Sequence, residues 1–253
     1  MPAVDLGIDG RVALVMGASK GIGRGIAAAL AREGARVAMA SRSRERVEAA
    51  AAELDGEAVG FDGDTADLER MRTLPGDVEA TLGPVEILVT NTGGPPQGGA
   101  LDHDLDEWRS AYDNLVLAPR VLVEGTLPGM RERRWGRILN VGSSSTREPI
   151  PGLALSNVHR PALIGFFMTL AREVAADGVT VNDIATGRFA TDRLAANWGS
   201  WEEMERGAVE GVPAGRLGSP EEYGELAAFV CSERAAFLTG AVIPLDGGML
   251  RSA

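Results

Sequence analysis

Short apolar runs alternate along the chain with longer segments whose apolar residues recur at helical spacing. The apolar runs fall at residues 11–16, 35–40, 57–61, 85–90, 136–142, 179–184 and 241–248. Helical patterns lie between them, at about 20–33, 44–54, 67–82, 106–133 and 155–177, with a last one from 219. Continuous apolar strands that alternate with helices are typical of a parallel sheet covered on both faces. We therefore predict one α/β domain over residues 1–253, built on a doubly wound parallel sheet of about seven strands.

Composition and charge narrow the classes of partner. The formal net charge of −11 argues against nucleic acid or an anionic membrane as the main partner. A single cysteine excludes an internal disulfide, and no spacing of His, Cys, Asp or Glu predicts a metal site. The N-terminal residues lack the apolar core of a signal peptide, and no apolar run reaches the ~18 residues of a membrane span. We expect a soluble, cytoplasmic protein.

Three glycines follow the first predicted strand and open the first predicted helix. Gly17, Gly21 and Gly23 have the spacing G-x-x-x-G-x-G. Glycine permits a tight turn and lets the backbone approach a pyrophosphate, while the N–H groups at the helix N-terminus face the anion. A Rossmann-like sheet binds its ligand at this edge. We predict a nucleotide site here; the alternative is a strand–helix turn without a ligand.

Residues at the end of the second predicted strand help to distinguish between nucleotides. An acidic residue that binds a ribose 2′-hydroxyl would stand there, but the sequence has Ser41 and Arg42, with no acid before Glu45. Lys20 lies inside the glycine turn. Two cations suit a 2′-phosphate, so we predict NADP(H) in preference to NAD(H). The alternative is that Arg42 is a solvated surface charge.

With these residues in place, the chain resembles the short-chain dehydrogenase/reductase family over nearly its full length. The matching segments are residues 16–23, 87–94, 136–144, 179–187, 215–222 and 244–248. The resemblance is strongest to β-ketoacyl carrier-protein reductases. It implies a small-molecule carbonyl or alcohol substrate and a substrate lid at about 188–212, where Trp198 and Trp201 either shape an apolar pocket or anchor the lid. It also implies a homo-tetramer or homo-dimer built on the helices at 106–133 and 155–177.

The resemblance also assigns cofactor-binding residues. It places Ser19 and Ile22 in the glycine turn, and Asn91 and Gly93 on the adenine-ribose side. Either Asp62 or Asp64 contacts the adenine; the register leaves both open. Around the nicotinamide it places Ile184, Thr186, Gly187 and Thr191.

Four catalytic positions follow from the same resemblance, and two of them hold unexpected residues. The helix asparagine is Asn114 and the catalytic serine is Ser143. The family's tyrosine position, thirteen residues after that serine, is Ser156, and its lysine position, four residues further on, is Arg160.

This exchange changes the chemistry available. An alkyl hydroxyl is far less acidic than a phenol, and general acid catalysis is worth roughly 10²–10⁴ in rate. Arginine keeps its proton, but Arg160 can hold the cofactor ribose or stabilise an oxyanion. His159 is an alternative proton donor. The only tyrosines, Tyr112 and Tyr223, are expected to lie out of reach.

Three hypotheses follow. The favoured one is an NADP(H)-dependent oxidoreductase that works through Asn114, Ser143 and the modified Ser156/Arg160 site. The second is a catalytically silent relative that binds NADP(H) in a regulatory or structural role. The third keeps the fold for non-redox chemistry, such as dehydration or isomerisation, with Arg160 stabilising an enolate.

Overall fold

The computed structural model describes residues 5–196 and 200–251, and its centre is a seven-stranded parallel sheet. The strand order is β3-β2-β1-β4-β5-β6-β7, and every neighbouring pair is parallel. The strands are β1 Val12–Met16, β2 Arg36–Ser41, β3 Ala58–Asp62, β4 Ile87–Thr90, β5 Gly136–Val141, β6 Val179–Thr186 and β7 Val242–Leu245. The predicted doubly wound, Rossmann-like α/β sheet is confirmed.

Helices cover both faces of this sheet, as the continuous apolar strands require. The helices are α1 Gly21–Arg32, α2 Arg44–Ala52, α3 Leu68–Leu82, α4 Leu105–Tyr112, α5 Ala118–Glu132, α6 Ala154–Val174, α7 Asp192–Ala196, α8 Trp201–Gly207 and α9 Pro220–Val230. One core lies under α1, α2 and α9 and includes Ile26 and Tyr223. The other lies under α3, α5 and α6 and includes Leu74, Leu122 and Phe167.

The helix predicted over 106–133 is interrupted. A capping box in which Asp104 and Glu107 bond each other's backbone starts α4. A π-helical turn, Asp113–Leu117, then separates α4 from α5. Such turns are frequent at functional sites because they redirect a side chain. Asn114 lies within this turn.

The predicted lid region contains α7 and α8. Residues 197–199, including Trp198, lie outside the described residues, so the role suggested for Trp198 stays a prediction. Trp201 is the first residue of α8 and is half-exposed. Among the described residues, no helix is both long and apolar enough to cross a membrane.

Candidate active site

The glycine turn forms a close cradle at the carboxyl end of β1. Gly17 and Gly21 have φ values of +61° and +56°, which favour glycine. A Cβ at Gly23 would lie 2.3 Å from the Gly17 carbonyl oxygen and 2.8 Å from Asn91 Nδ2. A Cβ at Gly21 would lie 3.3 Å from Thr191 Cγ2. At these glycines, the backbone of the turn has no side chains to cover it. Asn91, after β4, and Thr191, in the lid, border the turn. Such exposed N–H groups fit a phosphate-bearing ligand.

The other residues predicted to bind cofactor lie along the same edge of the sheet. Ser41 is buried at the end of β2, and its hydroxyl donates to the Ser43 carbonyl oxygen at 3.1 Å. Arg42 is exposed and forms no hydrogen bond or ion pair within residues 5–196 and 200–251. Lys20 Nζ lies 2.8 Å from Asp192 Oδ2 in the lid. Ser19, Lys20, Gly21 and Thr191 line one open cleft.

Ile22 and Gly187 are held by packing. Ile22 is partly buried against the core under α1. Gly187 follows β6, and its N–H donates to the Leu245 carbonyl oxygen at 3.0 Å. A Cβ at Gly187 would lie 2.5 Å from Asp246 Cα, so a larger residue would separate β6 from the segment after β7.

The two carboxylates after β3 differ in their partners. Asp62 Oδ2 forms an ion pair with Arg70 Nε at 3.0 Å, and the same Nε donates to the Asp62 carbonyl oxygen at 3.1 Å. Arg44 Nη1 lies 3.9 Å from Asp62 Oδ1. Asp64 Oδ1 accepts the Ala66 N–H at 3.1 Å and has no ion pair in the described part of the chain. Asp62 is therefore held by two arginines, whereas Asp64 is bonded within its own turn.

Ser143 and Ser156 are linked through Ser145. Ser143 follows β5, and its Oγ accepts the Ser145 N–H at 3.1 Å. Ser156 is buried in the first turn of α6, where its hydroxyl lies 3.1 Å from Ser145 Oγ. The two predicted catalytic serines are thus brought to one turn, with Ser145, which the sequence reasoning missed, between them.

Asn114 joins two loops of the predicted cofactor edge. Its Oδ1 accepts a hydrogen bond from Thr65 Oγ1 after β3. Its Nδ2 donates to the Gly93 carbonyl oxygen after β4 at 3.2 Å. The π-helical turn therefore places the side chain of Asn114 against the segment that carries Gly93.

Arg160 lies one turn after Ser156 on α6 and is partly buried. Its Nη1 donates to the Val141 carbonyl oxygen at 3.2 Å, at the end of β5. Burial lowers the pKa of its guanidinium, and the nearby Asp183 carboxyl group opposes that effect. An arginine remains protonated in spite of such shifts.

A buried carboxyl group that we did not single out from the sequence lies under α6. Asp183 is fully buried on β6, and its Oδ1 accepts from Asn140 Nδ2 at 2.5 Å. Burial raises the pKa of Asp183 to about 6, while the hydrogen bond from Asn140 and the charge of Arg160 act in the opposite direction. The signal for it was an acid inside an apolar strand, where carboxylates are rare unless paired.

His159 and Tyr223 occupy defined packing positions. The His159 ring packs against α4, with ring centroids 5.3 Å from Trp108 and 6.1 Å from Tyr112, and its Nδ1 lies 2.7 Å from the Leu155 carbonyl oxygen. The Tyr223 hydroxyl is hydrogen-bonded with Thr186 Oγ1 at 2.9 Å, at the end of β6. Burial raises the pKa of Tyr223. Its phenol is therefore less acidic than a free one.

Within the described residues, no three His, Cys, Asp or Glu side chains lie close enough together to hold a metal ion. The site consists of hydroxyl, amide, guanidinium and carboxyl groups around a glycine-lined edge.

Comparison with known proteins identifies the family. The family model described as enoyl-(acyl carrier protein) reductase matches residues 17–250. The chain belongs to the short-chain dehydrogenase/reductase family. It is 33% identical over 245 residues to 3-oxoacyl-[acyl-carrier-protein] reductase of Haemophilus influenzae, a match that covers 97% of this chain and 100% of the relative. It is 35% identical over 245 residues to nodulation protein G of Azospirillum brasilense, with coverages of 94% and 98%.

A solved short-chain dehydrogenase/reductase has nearly the same fold. L-sorbose reductase from Gluconobacter frateurii, in complex with NADPH and L-sorbose, superposes with a TM-score of 0.94 at 32% identity, covering 99% of this chain and 100% of that one. The predicted family resemblance is confirmed, and with it the class of enzyme, an NAD(P)-dependent oxidoreductase. The roles of individual site residues stay predictions.

Proposed function

We propose that the protein is an NADP(H)-dependent oxidoreductase that interconverts a small-molecule carbonyl and its alcohol through Asn114, Ser143, Ser156 and Arg160. The observation that carries the proposal is the arrangement of these side chains at the carboxyl edge of the sheet, beside a glycine cradle. Two of the similar proteins are a 3-oxoacyl-[acyl-carrier-protein] reductase and an L-sorbose reductase. The substrate class here is accordingly a ketone or β-ketoacyl compound.

The cofactor assignment rests on charge. Lys20 and Arg42 supply two cations near the glycine turn, and residues 40–44 contain no acid to bind a ribose 2′-hydroxyl. Of these two cations, only Lys20 is paired within the described part of the chain, in an exposed contact with Asp192 that a bound phosphate can replace. The sorbose reductase structure contains NADPH. These points support NADP(H) over NAD(H).

The remaining cofactor contacts would come from the residues that border the cradle. The pyrophosphate would lie against Gly17, Ser19, Gly21, Ile22 and Gly23. Thr191, which borders this turn, would lie on the nicotinamide side. Asn91, Gly93 and Ser41 would line the adenosine side. Asp64 is the better adenine contact because Asp62 is already bound by Arg70. Gly187 and Arg160 would border the nicotinamide ribose.

At the reacting centre, the chain's own groups act on the carbonyl oxygen. The bound nicotinamide supplies the hydride. The Ser143 hydroxyl and the Arg160 guanidinium would donate hydrogen bonds to the oxygen, which gains negative charge as the hydride is transferred. The Ser156 hydroxyl would donate the proton that completes the alcohol and would regain a proton from solvent water. Because an alkyl hydroxyl is a weak acid, charge stabilisation by Arg160 would carry more of the catalysis than this proton donation.

A specific observation favours a second candidate, a relative that binds NADP(H) without turnover. The Ser156 hydroxyl is already hydrogen-bonded to Ser145 in a buried position, and Tyr223 offers no acidified phenol. In that case the edge of the sheet would be a nucleotide sensor rather than a catalyst. Non-redox chemistry with Arg160 at an enolate remains the third hypothesis, and nothing further supports it.

We also propose a cytoplasmic homo-dimer or homo-tetramer whose chains meet through α4, α5 and α6. The support is the exposed apolar surface on two of these helices, contributed by Leu105, Tyr112 and Val158. Light scattering on a purified sample would measure the mass. A monomer at micromolar concentration would contradict this assembly.

The proposed function is tested by single-turnover oxidation of bound NADPH, followed by its absorbance. The panel of carbonyls comprises β-ketoacyl thioesters, keto sugars, simple ketones and aldehydes. We expect oxidation by the native protein, and its loss in Ser143→Ala. The double variant Ser156→Tyr/Arg160→Lys serves as the comparison with the ordinary family site.

Two outcomes separate the candidates. Tight NADPH binding without oxidation, with activity only in the double variant, would replace the oxidoreductase proposal by the silent binder. Oxidation that persists in Ser143→Ala would contradict the role given to Ser143.

A further inference from the structure

We propose that the buried carboxyl group of Asp183 is a positioning residue, which holds the Arg160 guanidinium at the reacting centre. In this role it rests on the proposed function, because Arg160 is the group that is positioned. Nothing in the family resemblance assigned a part to Asp183.

A row of polar side chains crosses the sheet and ends at Asp183. Thr90, Asn140 and Asp183 are paired in register on β4, β5 and β6. Thr90 Oγ1 donates to Asn140 Oδ1 at 2.9 Å, and Asn140 Nδ2 donates to Asp183 Oδ1 at 2.5 Å. The row fixes the orientation of the carboxyl group. It leaves Asp183 Oδ2 buried and without a hydrogen-bond partner in the described structure.

This polar row ends against the backbone of Gly142. A Cβ at Gly142 would lie 2.4 and 2.5 Å from the two Asp183 carboxyl oxygens, so the group lies directly against the Gly142 backbone. Gly142 precedes Ser143 and follows Val141, whose carbonyl oxygen accepts from Arg160. Asp183 and Arg160 therefore both border the segment that leads into the predicted catalytic serine.

Arg160 and Asp183 have complementary hydrogen-bonding groups. A guanidinium carries five N–H donors, and the hydrogen bond to Val141 uses one. Arg160 has no ion pair within 4.0 Å among the described residues. Asp183 Oδ2 is an acceptor that has no hydrogen-bond partner there. The other groups acting on Asp183 are Arg147, from the segment after β5, and Tyr223, from α9. Arg160 is the larger of the two arginine influences.

A buried carboxylate destabilises a fold unless it serves a charged partner. An apolar residue at position 183 would extend the core formed by Val179 and Val181 on the same strand face. A carboxylate at position 183 is explained if Arg160 needs its negative charge. Arg160 occupies the position at which the family otherwise has a lysine.

The test is a double-variant cycle on carbonyl reduction. Asp183→Asn keeps the shape of the side chain and removes its charge. We expect kcat to fall about tenfold in the native background and to change less than about twofold in an Arg160→Met background. We also expect native activity to fall below about pH 6, as Asp183 is protonated, and this ionisation to be absent from Asp183→Asn.

A matched control separates positioning from folding. Glu86→Gln neutralises another buried carboxylate, paired with Arg11 at the opposite end of the sheet. It should alter thermal stability but leave kcat per folded molecule unchanged. An equal fall of kcat in Glu86→Gln and Asp183→Asn would overturn the proposal.

A second measurement does not depend on turnover. Carbon-13 NMR of labelled aspartate carboxyls gives the pKa of Asp183, assigned by the signal lost in Asp183→Asn. Arg160→Met should raise that pKa because a stabilising cation is removed. An unchanged pKa would overturn the pairing. If no carbonyl is reduced, the proposed function fails, whereas the NMR result still decides whether Asp183 holds Arg160.

Discussion

At the scale of single residues, Gly142 and Asp183 depend on each other. The carboxyl oxygens occupy the space where a side chain at position 142 would begin. Glycine is needed there because of this close approach, since Gly142 is not among the residues with positive φ. The turn before Ser143 is therefore shaped by a side chain on the next strand.

Gly142→Ala should destabilise the protein because its Cβ would force the carboxyl group out of place. We expect a loss of about 1–3 kcal/mol in the free energy of unfolding, measured in urea. The same change in an Asp183→Ala background should cost much less, because the conflicting oxygens are gone. Equal costs in both backgrounds would contradict the packing described here.

Asp183 should also shape the dependence of stability on pH. Its pKa of about 6 in the folded chain lies above the ~3.9 of an unfolded one. The folded state thus binds the proton more tightly, and this contribution to stability falls as pH rises from about 4 to about 6. Asp183→Asn should remove this slope, so that the variant gains on the order of 3 kcal/mol over the native protein between pH 4 and pH 8.

Urea unfolding at several pH values measures this slope, and Glu222 provides a control of opposite sign. Arg216 and the backbone of Ser219 lower the pKa of Glu222 to about 2. Its contribution to stability is therefore present above about pH 4.5 and lost as pH falls towards 2. A slope near pH 5 that persists in Asp183→Asn would contradict the assignment.

At the scale of elements, α1 and α9 pack with their backbones almost in contact. A Cβ at Gly25 would lie 2.1 Å from the Pro220 carbonyl oxygen, and a Cβ at Gly224 would lie 2.3 Å from the Gly25 carbonyl oxygen. Neither backbone can move aside as a flexible side chain would. Since α1 begins in the glycine turn, this crossing also fixes the nucleotide site.

Gly224→Ala should therefore reduce both stability and nucleotide affinity. We expect at least about 1–3 kcal/mol of destabilisation, because the added methyl group separates the two helices. Gly76→Ala is the matched control: Gly76 lies inside α3 with nothing within 4 Å of an added Cβ. It should be neutral or stabilising by up to about 1 kcal/mol. Thermal unfolding and NADPH fluorescence titration of both variants measure the contrast.

At the scale of the whole molecule, ligand binding should stabilise the fold, since the cradle joins β1, β4, α1 and the lid. NADPH at 100 times its dissociation constant should add about 2.7 kcal/mol. NADH at the same concentration should add less, because it lacks the 2′-phosphate.

Arg42→Ala should reduce the difference between the two nucleotides in thermal-shift measurements. Arg44→Ala is the control, because Arg44 Nε is already bonded to Glu48 Oε1 at 2.8 Å. If Arg44→Ala removes the discrimination and Arg42→Ala does not, the 2′-phosphate assignment is wrong.

The sequence by itself determined the layered sheet, the glycine turn and the family. These features are local or periodic. A buried parallel strand appears in the sequence as an apolar run, and a backbone that must approach a phosphate appears as glycine. The cap at Asp104 is equally local, because the hydrogen bonds of a cap span only three residues.

Only the tertiary structure decided which side chains share the reacting centre. Asp183 lies 40 residues after Ser143, and its contact with Gly142 exists because β5 and β6 are neighbours in register. The link from Ser143 through Ser145 to Ser156, the π-helical turn at Asn114 and the crossing of α1 with α9 likewise depend on packing between distant segments. A pattern along the chain reports the local structure of each strand or helix. Charge compensation and close backbone approach depend on contacts between different elements, so that pattern does not show them.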